Sequence, residues 1–197
     1  MADTGAPWNI PFAEPADLVR DWPALSEDVA DAVAAGLTAA GNAGIGSNVV
    51  QTVKTDTFTT TSASFVDVTG LTATITPSSG TSKVLVSWSV SVGQGSDLQP
   101  IHLLITDGSN NALIRGDANG DRGRVTAGVH QFPNIRNQHV ISGSYLWSPE
   151  TTSPVTAKVR VTRTNTGTVT VNRTGANDDN LNGFTATSTV TLIEVSP

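Results

Sequence analysis

The stretch Lys83-Val-Leu-Val-Ser-Trp-Ser-Val-Ser-Val92 alternates apolar and polar side chains with a period of two residues. Its even-numbered positions are valine or tryptophan, and serine fills most of the odd ones, with Leu85 as the exception. This alternation indicates a strand that buries one face and leaves the other in water. Val155–Arg163 repeats the pattern, with valine and alanine alternating with Thr, Lys and Arg. The two stretches predict strands that cover a common core.

Shorter stretches rich in Thr, Val, Ile and aromatic residues predict further strands on both sides of these two. They are Val49–Thr55, Thr57–Thr60, Phe65–Val68, Leu71–Thr76, Ile101–Asp107, Ala112–Arg115, Ser142–Trp147, Thr168–Asn172 and Thr185–Val195. Polar turns such as Pro77–Gly80 and Asn177–Asn180 separate them. Because no helical periodicity follows Gly46, the sequence predicts a mainly β protein, an antiparallel β-sandwich of jelly-roll type. The longest connections, Gly93–Pro100 and Gly116–Val140, are expected to be loops.

The chain changes character at the glycine-rich stretch Gly41–Gly46. Upstream of it, apolar residues recur every three or four positions and predict a helix of roughly Ala24–Ala40. Its stripe consists of Leu25, Val29, Val33 and Leu37. Prolines before the helix favour an extended segment whose apolar side chains are Trp8, Ile10 and Phe12, followed by Trp22. The sequence predicts an extended anchor, a short α-helix and a glycine joint in residues 1–46, and the sandwich head in residues 47–197.

The excess negative charge lies in the first part of the chain. The protein has 17 acidic and 11 basic side chains, and seven of the acids but only one base, Arg20, lie between Met1 and Asp31. The rest of the chain is therefore neutral overall. Without a broad basic field, nucleic-acid binding is not expected.

The predicted helix needs a partner, because an isolated helix of this length is only marginally stable in water. Its stripe could dock on the head of its own chain, or it could join a short parallel bundle with other copies of the chain. In the second case Leu25, Val29, Val33 and Leu37 are the residues that hold the copies together.

The sequence lacks cysteine, so neither a disulfide framework nor a thiolate metal site is possible. We expect no secretion signal, because no basic segment precedes an apolar run near Met1. The run Val29–Ile45 is too interrupted by glycine to span a bilayer, so membrane insertion is not expected.

Residues with catalytic potential are scarce. The histidines, His102, His130 and His139, lack the spacing of a helix-borne metal site. Neither a nucleophile elbow nor a complete phosphate loop is present in the sequence. We therefore expect no enzymatic activity, no metal and no cofactor.

The loop Asp117-Ala-Asn-Gly-Asp-Arg-Gly-Arg124 places oxygen-bearing side chains at alternate positions, as a calcium loop does. Arg122 occupies the place of the expected glycine, however, and Gly128 that of the final glutamate. The preferred interpretation is ion pairing within the loop or across a subunit boundary, and contact with a host surface is a further one. The residues involved are Arg115, Asp117, Asp121, Arg122 and Arg124.

Asn172-Arg-Thr174 has the form of a glycosylation acceptor. It would matter only in a eukaryotic secretory pathway, for which the sequence gives no signal.

The stretch from Trp8-Asn-Ile-Pro-Phe-Ala-Glu-Pro-Ala-Asp-Leu-Val-Arg-Asp-Trp-Pro-Ala-Leu25 to Leu37 resembles the N-terminus of small tail-associated and fibre proteins of phages that infect actinobacteria. The head is similar to a β-domain found near the C-terminus of phage fibres. The matching segments are Val50–Phe58, Phe65–Leu71, Ile75–Ser79, Lys83–Val86, Gly116-Asp117, Arg122, Arg124 and Ser148–Ser153.

The resemblance implies a homotrimeric virion protein, assembled in the host cytoplasm, whose N-terminal segment attaches to the particle. Trp8, Ile10, Phe12 and Trp22 would then bind another virion protein of tail or capsid. The head would be displayed for contact with the host surface, as in a minor tail or tail-fibre protein.

Two alternatives remain. The same layout would suit a capsid head fibre or decoration protein. The head could also be a carbohydrate-binding jelly roll that contacts a host cell-surface glycan through Trp88 and Trp147, although the strand pattern of Lys83–Val92 places Trp88 in the core.

Overall fold

The computed structural model describes residues 2–3, 11–12, 22–42, 45–95, 99–130, 134–164 and 166–196. For residues 2–3, 11–12, 22–25, 38–42 and 45–47 it describes the backbone only. The elements are β1 (Ala2–Asp3), β2 (Pro11–Phe12), α1 (Trp22–Asn42), β3 (Ile45–Lys54), β4 (Phe58–Thr60), β5 (Val66–Ile75), β6 (Lys83–Gln94), β7 (Ile101–Asp107), β8 (Ala112–Ile114), β9 (Ala127–Val129), β10 (Gln138–Trp147), β11 (Val155–Arg163), β12 (Val169–Val171) and β13 (Ser188–Val195).

Two antiparallel sheets form the head. In the first, β6 pairs with β10 on one side and with β13 and β12 on the other, while β3 extends the sheet beyond β13 and β4 extends it beyond β12. In the second, β11 lies between β5 and β7, and β7 also pairs with β8 and β9. The predicted antiparallel sandwich is confirmed.

The pairing order is that of a jelly roll. The first long strand of the head, β3, pairs with the last, β13, and the second, β5, pairs with β11. Further inward, β6 pairs with β10, and β7 pairs with β8 and β9. Such nested pairing results when one long antiparallel hairpin is rolled up so that successive strands alternate between two sheets.

The core lies between the sheets and follows the alternation of β6. Val84, Val86, Val90 and Val92 are completely buried, and Trp88 is 7% exposed. The second sheet contributes apolar residues from alternate positions, namely Val68, Leu71, Ala73, Ile75, Ile101, Leu103, Ile105, Ala157, Val159 and Val161. Period-two burial of this kind follows from strand geometry, in which successive side chains point to opposite faces.

The strand and loop predictions need three corrections. The expected loop Gly93–Pro100 begins later than predicted, because β6 continues to Gln94 through its pairing with β10 and β12. Phe65–Val68 and Leu71–Thr76 were expected to be separate strands but form the single strand β5. The strand is irregular at Gly70, which takes a φ of +80° where the pairing with β11 shifts register, and this irregularity interrupts the alternation in the sequence. Gly116–Val140 was expected to be one loop, but it contains β9 and the first residues of β10. These segments are short, or begin with polar residues, so their alternation is weak in the sequence.

The helix α1 begins at Trp22, so Pro23 lies in its first turn, where the missing N–H is not needed. It continues to Asn42, and β3 begins at Ile45, within the stretch predicted to be a glycine joint. Gly41 is therefore helical, and the part of the predicted joint between helix and strand is limited to residues 43–44. The division of the chain at residue 46 stays a prediction.

Candidate functional site

Most of the residues predicted to anchor the protein lie outside the part of the chain whose side chains the structure describes. Trp8 and Ile10 are outside the described residues, and the side chains of Phe12, Trp22 and Leu25 are not described, although Phe12 lies on β2 and the other two on α1. On the helix, Val29 and Val33 are half-buried and Leu37 is 63% exposed. Anchoring and bundle formation by these residues stay predictions.

An apolar row crosses the outer face of the first sheet. Pairing aligns Val49 of β3 with Ile193 of β13, Ile193 with Leu85 of β6, and Leu85 with Leu146 of β10. Val49 is 51% exposed and Leu146 44%, and the two central side chains are half-buried. The next row on the same face is entirely polar, consisting of Gln51, Thr191, Ser87 and Ser144. Leu85, the exception to the alternation, thus belongs to a continuous exposed apolar surface.

The arginine-rich loop lies against the outer side of β7. Thr126 N–H donates to the carbonyl of Leu103, and the Thr126 hydroxyl accepts from the N–H of Ile105. A Cβ at Gly123 would lie 2.9 Å from the His102 ring, so the glycine allows this close approach. Burial of the ring lowers the pKa of His102, which disfavours its charged form.

Within this loop the arginines bond to neutral oxygens. Arg122 Nη1 donates to Asn119 Oδ1 at 2.6 Å, and Arg124 Nε donates to the carbonyl of Gly116 at 2.9 Å. Ion pairs elsewhere in the described chain join Lys54–Asp56, Arg136–Asp178, Lys158–Asp67 and Arg160–Asp67. For the described residues the expected pairs of Arg115, Arg122 and Arg124 with Asp117 and Asp121 are not among them. Pairing of these residues across a subunit boundary stays a prediction.

Asp67 of β5 is the centre of a charged cluster on the outer face of the second sheet. Its carboxylate lies 2.9 Å from Lys158 Nζ and 2.7 Å from Arg160 Nε, both on β11. Burial raises the pKa of Asp67, but the hydrogen bond and charge of Lys158, with the charge of Arg160, lower it by more. The cluster joins β5 to β11 where their register shifts.

The glycosylation-like asparagine is part of the buried framework. Asn172 is fully buried with a φ of +63°, and its Nδ2 donates to the carbonyls of Lys54 and Asp56 at 2.8 and 3.0 Å. Its Oδ1 accepts from the Ser188 hydroxyl at 2.6 Å. Because its amide hydrogens are already used and inaccessible, the folded head cannot present Asn172 as an acceptor.

Of the two tryptophans in the sugar hypothesis, Trp88 belongs to the core. Trp88 is 7% exposed, and Trp147 is half-buried and packs against the core cluster. Trp88 is therefore closed to a ligand, and sugar binding through Trp147 stays a prediction. Among the Phe, Tyr and Trp side chains described for the head, Phe184 is the one that is exposed, at 53%.

Phe184 borders a polar cavity of about 270 Å³ at the end of the first sheet. The lining residues are Thr57, Arg173, Thr174, Asn177, Asp178, Asp179, Asn180, Gly183, Phe184 and Thr185. The sequence predicts only a turn at Asn177–Asn180, so this site is not apparent from it. The available signal was Phe184 itself, an aromatic residue surrounded by polar and small neighbours that no strand alternation places in the core.

The described residues do not form a constellation typical of a metal centre. Among the residues described, no group of three His, Cys, Asp or Glu side chains is placed to hold an ion. In the same part of the chain, no helix combines the length and apolar character needed to cross a bilayer.

Comparisons with known proteins give weak structural likeness only. No protein-family model matches the chain, and no curated protein matches it. A structure of an IBDV viral particle superposes with a TM-score of 0.37 at 13% identity, covering 75% of this chain and 35% of that one. A structure of the Gx strain of infectious bursal disease virus gives 0.33 at 15% identity, covering 76% and 36%. The chain thus spans about a third of these viral chains, and at such TM-scores the likeness carries no argument about function.

Proposed function

We propose that this protein is a structural component of a phage virion, a minor tail or tail-fibre protein whose N-terminal segment attaches to the particle and whose jelly-roll head is displayed for contact with the host surface. The observation that carries the proposal is the contrast between the two parts of the chain. The head has its own continuous core, whereas the amphipathic helix before it has an exposed apolar side chain at Leu37. The sequence resemblance to phage tail and fibre proteins supports the same assignment.

The proposal includes a homotrimer formed through α1. Leu37 on the helix and the outer apolar row of the head would both be covered by other copies of the chain. The row lies close to the helix along the chain, because Val49 is only four residues beyond the start of β3 at Ile45, or about 13 Å of strand. Helices that associate in parallel would therefore bring the rows of neighbouring heads together.

In this proposal the protein has no catalytic role. The described side chains include a continuous apolar core, ion pairs and a polar cavity. Display and binding are functions that such a surface can perform without turnover.

Immunogold labelling of purified phage particles with an antibody to the head tests the assignment. Gold at the tail or its fibres is the expected result. Labelling of the capsid surface would instead favour the head-fibre or decoration alternative. Particles without label, together with abundant unassembled protein in the lysate, would contradict a virion role.

A further inference from the structure

We propose that the cavity beside Phe184 binds one ring of a neutral sugar. This inference rests on the proposed function, since a displayed head would meet glycans at the host surface. It differs from the sequence-based sugar hypothesis because Trp88 and Trp147 take no part in it. The cavity has a volume of about 270 Å³, just below the range of about 300–1,000 Å³ for pockets that hold drug-sized ligands. The occupant should therefore be of the size of a single sugar ring.

The cavity offers fixed hydrogen-bonding groups. The guanidinium of Arg173 is held by bonds from Nη2 to Thr59 Oγ1 at 2.9 Å and from Nη1 to the carbonyl of Thr174 at 3.0 Å. A guanidinium has five N–H donors, so others stay available to a ligand. Asp178 has one oxygen bound to Arg136 at 2.6 Å, which leaves the second as an acceptor. Hydroxyl groups can donate to that carboxylate and accept from the guanidinium.

The charges of the lining argue against other classes of ligand. Asp178 is paired with Arg136 and Asp179 is matched by Arg173, so the site has no net positive charge to attract a phosphate or carboxylate ligand. Since one of the two carboxylates is already paired with Arg136, they make a poor cation site as well. An apolar ligand would leave most of these polar groups without partners. A neutral ring with several hydroxyl groups satisfies the lining best.

Phe184 supplies the apolar contact that such a ring needs. At 53% exposure its side chain is open to a ligand, and the C–H face of a pyranose could pack on it. Hydrogen bonds to a sugar replace bonds to water, so each adds only a modest net free energy of binding. Burial of apolar surface against the aromatic ring adds a further favourable contribution.

Hydrogen bonds and close packing within the loop itself hold one wall of the cavity. Asn180 accepts from the N–H of Asn182 through Oδ1 at 2.8 Å and from the N–H of Gly183 through its carbonyl at 2.9 Å. A Cβ at Gly183 would collide with the carbonyl oxygen of Asp178, so the loop closes tightly there. A wall held in this way lowers the entropic cost of binding.

Nuclear magnetic resonance titration of the ¹⁵N-labelled full chain tests the proposal. The probes are the methyl glycosides of glucose, galactose, mannose, rhamnose and N-acetylglucosamine, with inorganic phosphate as a separate arm. We expect at least one glycoside to shift backbone amides of residues 173–185 with millimolar affinity, and phosphate to leave them unchanged. The absence of shifts with every glycoside, or shifts there with phosphate alone, would overturn the proposal.

Phe184→Ala should weaken glycoside binding at least tenfold. Leu181→Ala is the matched control, since Leu181 is fully exposed on the same loop but does not line the cavity. Equal affinity in the Phe184 variant and the wild type would also contradict the proposal. Because virion labelling is measured separately, labelled particles without sugar binding would reject the cavity assignment and leave the proposed virion role intact.

Discussion

Gly143 of β10 lies directly opposite Trp88 of β6, and the indole ring covers the glycine. A Cβ at residue 143 would be 2.6 Å from Cζ2 of the ring, closer than atoms can approach without displacement. The glycine thus gives the largest core side chain of β6 the space it needs beneath an outer strand.

Gly143→Ala should destabilise the head, because the ring must move within a packed core. Overpacking of this kind costs about 1–3 kcal/mol, which urea denaturation of the variant would measure. Ser144→Ala, at the exposed neighbouring position, is the control and should change stability by less than about 0.5 kcal/mol. Wild-type stability in the Gly143 variant would show that the ring does not occupy this position.

Glu194 should make the stability of the head dependent on acid. Burial raises the pKa of its carboxyl, but bonds from the Ser78 hydroxyl and N–H and from Asn48, with the nearby Ser82 hydroxyl, lower it from 4.5 to about 2. Because the folded-state pKa is depressed, the stabilisation is fully present above pH 4.5 and is lost as the pH falls towards 2. A shift of this size corresponds to about 3 kcal/mol.

Denaturant unfolding between neutral pH and pH 2 measures this dependence. Glu194→Gln should be less stable at neutral pH and should lose part of the wild-type pH dependence below pH 4.5. Asp121→Asn, in an exposed loop, serves as the control and should follow the wild type. Identical pH profiles for wild type and the Glu194 variant would refute this role.

Asn172→Ala should strongly destabilise the head. The change leaves the buried carbonyl of Lys54 and the buried hydroxyl of Ser188 without their asparagine partner, and it removes a bond to the part-buried carbonyl of Asp56. Each unsatisfied buried group costs about 1–3 kcal/mol, so a total loss of several kcal/mol is expected in thermal or urea unfolding. Asn119→Ala removes an asparagine on the exposed loop and should have a small effect. Similar losses for both variants would mean that the buried network is unimportant.

Self-association should depend on α1 and on the outer apolar row. We expect a trimer for the full chain and a folded monomer for a chain starting at Ile45, measured by sedimentation or mass photometry. Leu146→Ser should weaken the trimer because it places a hydroxyl in the apolar contact, whereas Val140→Ser, at an exposed position of the same strand outside the row, should not. A monomeric full chain would exclude the trimer.

Attachment to the particle is predicted to depend on the segment before α1. Deletion of residues 1–21 should leave the head folded but reduce incorporation of the protein into particles, because Trp8, Ile10 and Phe12 would be lost. Quantitative immunoblotting of purified particles measures incorporation, and circular dichroism confirms that the shortened protein is folded. Unchanged incorporation would place the attachment surface elsewhere in the chain.

Much of the head could be predicted from local alternation. Lys83–Val92 and Val155–Arg163 indicated strands and their apolar core faces correctly, because side chains on a strand alternate between faces whatever the rest of the chain does. Ser91 and Thr162, which the alternation placed on the solvent face, are buried, because neighbouring strands and loops cover that end of each strand. The prediction failed for β9, which has only three residues. In so short a strand the tertiary pairing with β7, rather than the residues themselves, determines the conformation.

The sequence by itself determined the strand-rich head, the buried side of its long strands and the helix that precedes it. Only the tertiary structure decided that Leu85 aligns with Ile193, Val49 and Leu146, and that Phe184 meets Arg173 and Asp178 around one cavity. The physical reason is the range of the forces involved. Alternation and helical periodicity are local properties of the backbone, whereas register between strands far apart in the chain is fixed by how the two sheets bury their apolar faces together.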